Sequence, residues 1–587
     1  MTSSAEFLSY KILAGAFAVG LISGLCQLEV FTGECGINSW FLHIPLVVSV
    51  LMGFTLALAL LLDCRNMFGL SAVSMHWCVL ITYSTMTFSM NGSDIPACDR
   101  ILIEIGIVAL MGWNSTVTKM FIARFLISTA LSKYMNVVCD GSWFTFSSFK
   151  SDALNQPFPF TPVWHIAQLP DTLVESLSVL IVISELLLPI ILIFSTTRSP
   201  FESASATGIV GLCIFYALIG NFNWSILILL SCTVRFITPS VLTLVLGEKT
   251  FIRWGMETSQ FSEEEAEREL IQTLLASTKL FIAFISLVIG CKFLLLNDIS
   301  VFALYAIPYR ELLASILWII TGRSFMKLVS AGPKHMLFMV IALAVSQCEW
   351  VTLMSLGRLK FSPDYSTLPT CYTFKSDLDF PVHSNAGRAA FLFQTKYSQL
   401  GTNTIGSDLG GTKYAELSIP GSVHADEQRP PFLLGHFPRL ALKLWKMGTG
   451  NQESINEGLV LIERLSQAVR DGSDAVHVLF PNTPQYILSA HVGKTNQIQS
   501  FYQDYTVTSR AADHQWWKRS YDKVSALPFA GVSAQAPIRV RCSVIVPPKI
   551  MDVSLELILL MGTLGALLVK LLFSSSKAVT EISKKQK

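Results

Sequence analysis

Charge is scarce in this 587-residue chain: Asp, Glu, Lys and Arg make up 14% of it, where a soluble domain carries about 25%. With 51% hydrophobic residues and a mean hydropathy of +0.51, it does not read as a string of water-soluble domains. It reads as an integral membrane protein. An excess of one sign is also missing. The 43 Lys plus Arg nearly balance 41 Asp plus Glu, which excludes the broad basic surface that nucleic-acid binding requires. Cysteine is sparse, 12 in the whole chain, so a disulfide scaffold is excluded and any disulfides are few and local. No G-x-S-x-G elbow, P-loop or H-E-x-x-H motif is present, and no internal repeat is visible. His383, His424, His436, His477, His491 and His514 are scattered without ligand spacing, so they read as surface or structural histidines. No metal or cofactor is expected.

What the chain has instead is a series of apolar runs. Those of spanning length lie at about 12–30, 43–62, 70–90, 173–195, 224–246, 273–296, 300–322 and 335–357, and shorter ones at 101–113, 120–134 and 207–220. The first could be a signal peptide, but no small-x-small cleavage site follows, and it is read as a membrane helix. Residues 1–358 thus form a multi-pass helical membrane domain. From 359 to 549 the apolar runs vanish and turn formers multiply, which predicts a β-rich (α+β) soluble domain. Strands are expected at Phe391–Tyr397, Lys413–Ile419, Tyr486–Val492, Phe501–Val507 and Ile538–Val546, with one helix capped by Ser454 and Glu457. Residues 550–575 hold a last membrane helix and 576–587 a basic tail.

Parity sets the topology. Ten to twelve crossings are counted, and with twelve both termini share one side, which the basic tail makes the cytosol. Residues 359–549 are then lumenal, and so is the sequon Asn91-Gly92-Ser93, a glycosylation candidate. In an oxidising lumen Cys371 with Cys542, and Cys35 with Cys98, are candidate disulfides; buried thiols are the alternative. Lys584 and Lys585 match a dilysine retrieval signal read by coat proteins, or a plain basic flank.

Ionisable residues inside membrane runs mark function by default, because burying charge in hydrocarbon is costly. Here they are Glu104, Arg124, Lys133, Glu185 and Arg235. They form either a proton relay or a site for an acidic cofactor, or charge pairs inside the bundle, with Lys133 and Arg124 alternatively snorkelling to the interface. The run Glu263-Glu264-Glu265 after Ser262 reads as a capped helix start.

One ordered set of blocks goes further. Asp99, Leu102, Glu104 and Gly106 precede Arg124-Phe125-Leu126. Gln156-Pro157-Phe158-Pro159, Trp164, Gln168-Leu169-Pro170, Glu185 and Gly220-Asn221-Phe222-Asn223 follow. In the polar region come Arg429-Pro430-Pro431-Phe432, His436, Pro438-Arg439-Leu440, Trp445 and Trp516-Trp517-Lys518-Arg519. This order resembles the lipase maturation factor family across most of the chain, with departures at Leu154, Ala167 and Ala441-Leu442. The membrane part of that family is similar to the helical domain of vitamin K-dependent carboxylases. The resemblance implies a multi-pass endoplasmic-reticulum membrane protein that assists the folding, assembly and secretion of lipases or similar secreted proteins, without catalysis. Its partners would be those clients in the lumen. Phe432, Trp445, Trp516, Trp517, Lys518 and Arg519 are the client-binding candidates, aromatic and Arg residues being enriched at binding hot spots. A carboxylase-like or acyl-transfer membrane enzyme, or a transporter, are the competing readings.

Overall fold

The computed structural model describes residues 4–32, 43–62, 70–91, 95–110, 115–140, 169–197, 199–219, 224–238, 241–242 and 263–296, with 162, 165 and 166. Beyond these it describes 388–395, 404–405, 413–416, 438–439, 498–507 and 517–524.

The amino-terminal part is a helical bundle, as the apolar runs imply. Among the described residues its elements are α1 (Ser4–Thr32), α2 (His43–Leu61), α3 (Ala72–Asn91), α4 (Ala97–Leu110), α5 (Ser115–Asp140), α6 (Asp171–Phe194), α7 (Pro200–Ile219), α8 (Trp224–Val234) and α9 (Glu263–Leu296). Five of them contain a stretch long and apolar enough to cross a membrane: Glu6–Glu29, Ile44–Leu61, Asp171–Phe194, Pro200–Leu218 and Glu267–Ile289. The chain is therefore a helical membrane bundle in this region. The runs 300–322, 335–357 and 555–573 lie outside the described residues.

α1 lies at the centre of the bundle, against α2, α3 and α8. Its Ser9 and the Ser231 of α8 exchange hydrogen bonds, each hydroxyl donating to the other residue's carbonyl at 2.5 and 2.9 Å. Small hydroxyl residues of this kind let membrane helices approach closely. Ser205 does the same for α7, donating to the Leu188 carbonyl of α6 at 2.5 Å.

That chemistry explains why the run read as 207–220 is in fact a 20-residue helix. Its first turns, Pro200-Phe201-Glu202-Ser203-Ala204-Ser205, are too polar to extend an apolar run. Ser203 and Ser205 are nevertheless fully buried against neighbouring helices. Ser199 caps the helix, its hydroxyl accepting the Glu202 N–H at 3.2 Å, and Pro200 takes the first helical position.

The run 224–246 needs a correction in the other direction, since α8 ends at Val234. Phe236 and Ile237 close turns onto the Thr233 and Val234 carbonyls, and the Thr238 N–H bonds the Ser203 hydroxyl at 3.1 Å. Pro239 follows in sequence, and the residue before a proline is pushed out of the helical region. The acidic run after Ser262 does begin a helix, α9, as expected.

Among the described residues of the polar region five strands form one antiparallel sheet of order β2-β3-β1-β4-β5: β1 (Arg388–Thr395), β2 (Thr404–Ile405), β3 (Lys413–Glu416), β4 (Ile498–Val507) and β5 (Trp517–Val524). Three expected strands overlap β1, β3 and β4. β5 adds a strand in the block Trp517-Lys518-Arg519, with Val507 opposite Trp517. The expected strands 486–492 and 538–546, and the capped helix at 454–469, lie outside the described residues.

Candidate functional site

Among the described residues two clusters of charge stand at opposite ends of α1, the first partly buried and the second completely so. At its start, the Arg235 guanidinium bonds the Glu6 carboxylate at 2.9 Å and the Thr118 hydroxyl at 3.2 Å. Beside it Lys119 pairs with Glu202 at 2.6 Å and donates to the Ser195 carbonyl at 3.3 Å. Lys119 and Arg235 both lie over the Phe236 ring, 5.5 and 5.4 Å from its centroid. These contacts tie α1, α5 and α7 to the turn after α8.

The second cluster forms near the end of α1, twenty-one residues from Glu6 to Gln27. At 1.5 Å per residue that is about 32 Å, close to the roughly 30 Å thickness of a bilayer's hydrocarbon core. Its centre is Asp99, in the first turn of α4, where the helix dipole favours a carboxylate. Arg439 of the polar region grips it with a two-pronged contact. Nε donates to Oδ2 and Nη2 to Oδ1, both at 2.8 Å.

Asp99 and Arg439 are both completely buried. The Tyr83 hydroxyl of α3 also donates to Asp99 Oδ1, at 2.5 Å, and the Trp224 ring at the start of α8 stands 5.1 Å from the guanidinium carbon. The backbone N–H of Arg439 donates to the Gln27 side-chain carbonyl of α1 at 2.8 Å. Nη1 makes no hydrogen bond among the described residues. Burial alone would pull the Arg439 pKa down; the charge and hydrogen bonds of Asp99 outweigh this and hold it above its ordinary value. The group stays charged at any physiological pH.

The cluster lies inward of the ends of α1 and α3. α3 runs eight residues past Tyr83, about 12 Å of helix, and α1 five residues past Gln27, about 7 Å. Gly20 of α1 makes this geometry possible: a Cβ there would stand 2.7 Å from the Tyr83 ring. Phe17, one turn earlier on α1, meets the Tyr83 ring edge-on at 5.5 Å between ring centroids.

Of the ionisable residues expected inside the membrane, Glu185 is buried on α6 and accepts a hydrogen bond from Tyr216 of α7. Glu104 is buried on α4, Arg235 is paired as above, and Arg124 and Lys133 lie on α5. For Arg235 the contact with Glu6 matches the charge-pairing alternative. Pro170 precedes α6, its carbonyl accepting from Leu173 and Val174. Asn91 is the last residue of α3, and Cys98 is buried in the first turn of α4. Trp517, Lys518 and Arg519 open β5. Gln156, Pro157, Pro159, Trp164, Gln168, Asn221, Asn223, Phe432, Trp445, Trp516, Cys35, Cys371, Cys542, Lys584 and Lys585 lie outside the described residues.

No pattern in the sequence marks the Asp99 cluster as a site. Asp99 and Arg439 belong to blocks of the resemblance, yet no spacing rule joins residues 340 apart. Gln27, Tyr83 and Trp224 carry no sequence signal of the contact. Searches against protein-family models, curated proteins and solved structures find no match for the chain. Among the described residues no group of three His, Cys, Asp or Glu is placed to hold a metal.

Proposed function

We propose that this protein is a maturation factor of the endoplasmic-reticulum membrane that assists folding, assembly and secretion of lipases or similar secreted proteins, without a catalytic step. One observation carries the reading: the buried Asp99–Arg439 pair ties the polar region to the helical bundle, through two of the blocks on which the resemblance rests. A region fixed to the membrane in this way can hold a partly folded client where it is made. Binding of that kind shields apolar surface from aggregation and favours the assembled state by mass action. It requires no nucleotide site.

In this reading both termini are cytosolic, residues 359–549 face the lumen, and the client contacts fall on Phe432, Trp445 and the block 516–519. Arg439 meets the end of α1 away from its amino terminus, which supports placing the polar region across the membrane from residue 4. In sealed microsomes, external protease is expected to spare 359–549 and to trim the tail; digestion of that region in intact vesicles reverses the topology.

The function is tested by co-expressing a secreted dimeric lipase in cells lacking the protein. Restoring the chain should raise secreted lipase activity several-fold at unchanged lipase synthesis, and the lipase should be captured with the chain from solubilised membranes. Equal secreted activity with and without the chain, across several lipases, rules the reading out.

A further inference from the structure

Among the described residues, the groups that hold Arg439 and its carboxylate belong to the bundle. Asp99 comes from α4, Tyr83 from α3, Gln27 from α1 and Trp224 from α8. Only the arginine is supplied from elsewhere, by a residue 340 positions downstream of its carboxylate. The parts that recognise it are also held by contacts that do not involve it. Tyr83 is fixed by Gly20 and Phe17 and orients Asp99 Oδ1 through its hydroxyl. Trp224 is fully buried.

We propose that the side-chain cluster at the Gln27 end of the bundle is a preformed receptor for a guanidinium group: the helices build it, and Arg439 occupies it as a ligand carried on the same chain. Its chemistry is that of arginine recognition. A carboxylate presents two parallel acceptors to the planar fork, and an indole face supplies cation–π attraction. A compact ammonium fits neither as well, since it lacks the fork and the flat face. The receptor therefore reads arginine specifically, and an arginine presented by another polypeptide would compete for it wherever Pro438-Arg439 is withdrawn. This inference stands on the geometry of these contacts and does not depend on the maturation-factor reading.

The test uses the full-length protein in detergent, with Arg439→Ala to empty the site and methylguanidinium as probe. Arg439→Ala should melt below the unaltered protein. Millimolar methylguanidinium should restore a large part of that loss along a saturating curve, while urea and tetramethylammonium at equal concentration should not. The unaltered protein and the double variant Asp99→Asn/Arg439→Ala should gain nothing. Absence of saturable recovery in Arg439→Ala, or equal recovery in the double variant, overturns the proposal. If Arg439→Ala does not accumulate as folded protein, Arg439→Lys decides: a fork-reading site makes it melt well below the unaltered protein despite the kept charge, and an unchanged Tm means that charge alone is read and the proposal fails.

Discussion

Replacing Asp99 with Asn is expected to be the most damaging conservative change in the bundle. The side chain keeps its size and one acceptor oxygen, so packing hardly alters. The loss is electrostatic: Arg439 is completely buried and would keep its charge with no carboxylate against it. Removing one partner of a buried pair costs about 3–5 kcal/mol, whereas neutralising both partners together is often close to neutral. Thermal unfolding of the solubilised protein, followed by tryptophan fluorescence, should therefore show a large drop for Asp99→Asn. Most of it should return in Asp99→Asn/Arg439→Gln. If the double variant is as unstable as the sum of the two single ones, the cost lies in lost packing rather than in an orphaned charge.

The second expected result separates two glycines of the same helix. Gly20 and Gly24 both face α3, and a methyl group on either would collide, at Gly20 with the Tyr83 ring and at Gly24 with the Met86 thioether. What differs is whether the neighbour can move. Met86 ends in a chain with three rotatable bonds and can shift its tip. Tyr83 cannot, because its hydroxyl is committed to Asp99 and its ring is wedged against Phe17. Gly→Ala in a helix gains about 0.5–1 kcal/mol of propensity, while overpacking a rigid contact costs roughly 1–3 kcal/mol. Gly20→Ala should thus destabilise, and Gly24→Ala should be near neutral. Combining Gly20→Ala with Asp99→Asn should cost less than the sum, since both disturb one cluster. Strict additivity would show that Tyr83 does not orient Asp99.

Much of the helical part is legible in the sequence because an apolar run long enough to span a bilayer is rarely anything but a membrane helix. α2, α3 and α6 fall within two residues of the runs that predict them, while α1 starts eight residues before its run, at Ser4. Legibility fails where helices meet each other instead of lipid. The first turns of α7 use Ser203 and Ser205 to approach α6 and the turn after α8, so hydropathy there is low although burial is complete. The end of α8 is hidden for the opposite reason: Phe236, Ile237, Val241 and Leu242 keep the run apolar after the helix has ended at Val234. The site is legible only as residue types. Glu185 and Arg235 stand out because charge inside an apolar run is conspicuous, whereas Asp99 sits at a run's edge and Arg439 in a polar stretch, where neither residue is unusual. Their pairing is a property of the folded chain alone.

The distance between those two residues along the chain also sets a waiting time. A ribosome adding about 5–20 residues per second needs roughly 17–70 s to travel the 340 residues from Asp99 to Arg439. For that interval the nascent bundle carries a carboxylate whose cation has not yet been synthesised. A nascent chain arrested before residue 439 should accordingly be recognised as unfinished by the machinery that clears defective membrane proteins, long after its first helices have entered the bilayer.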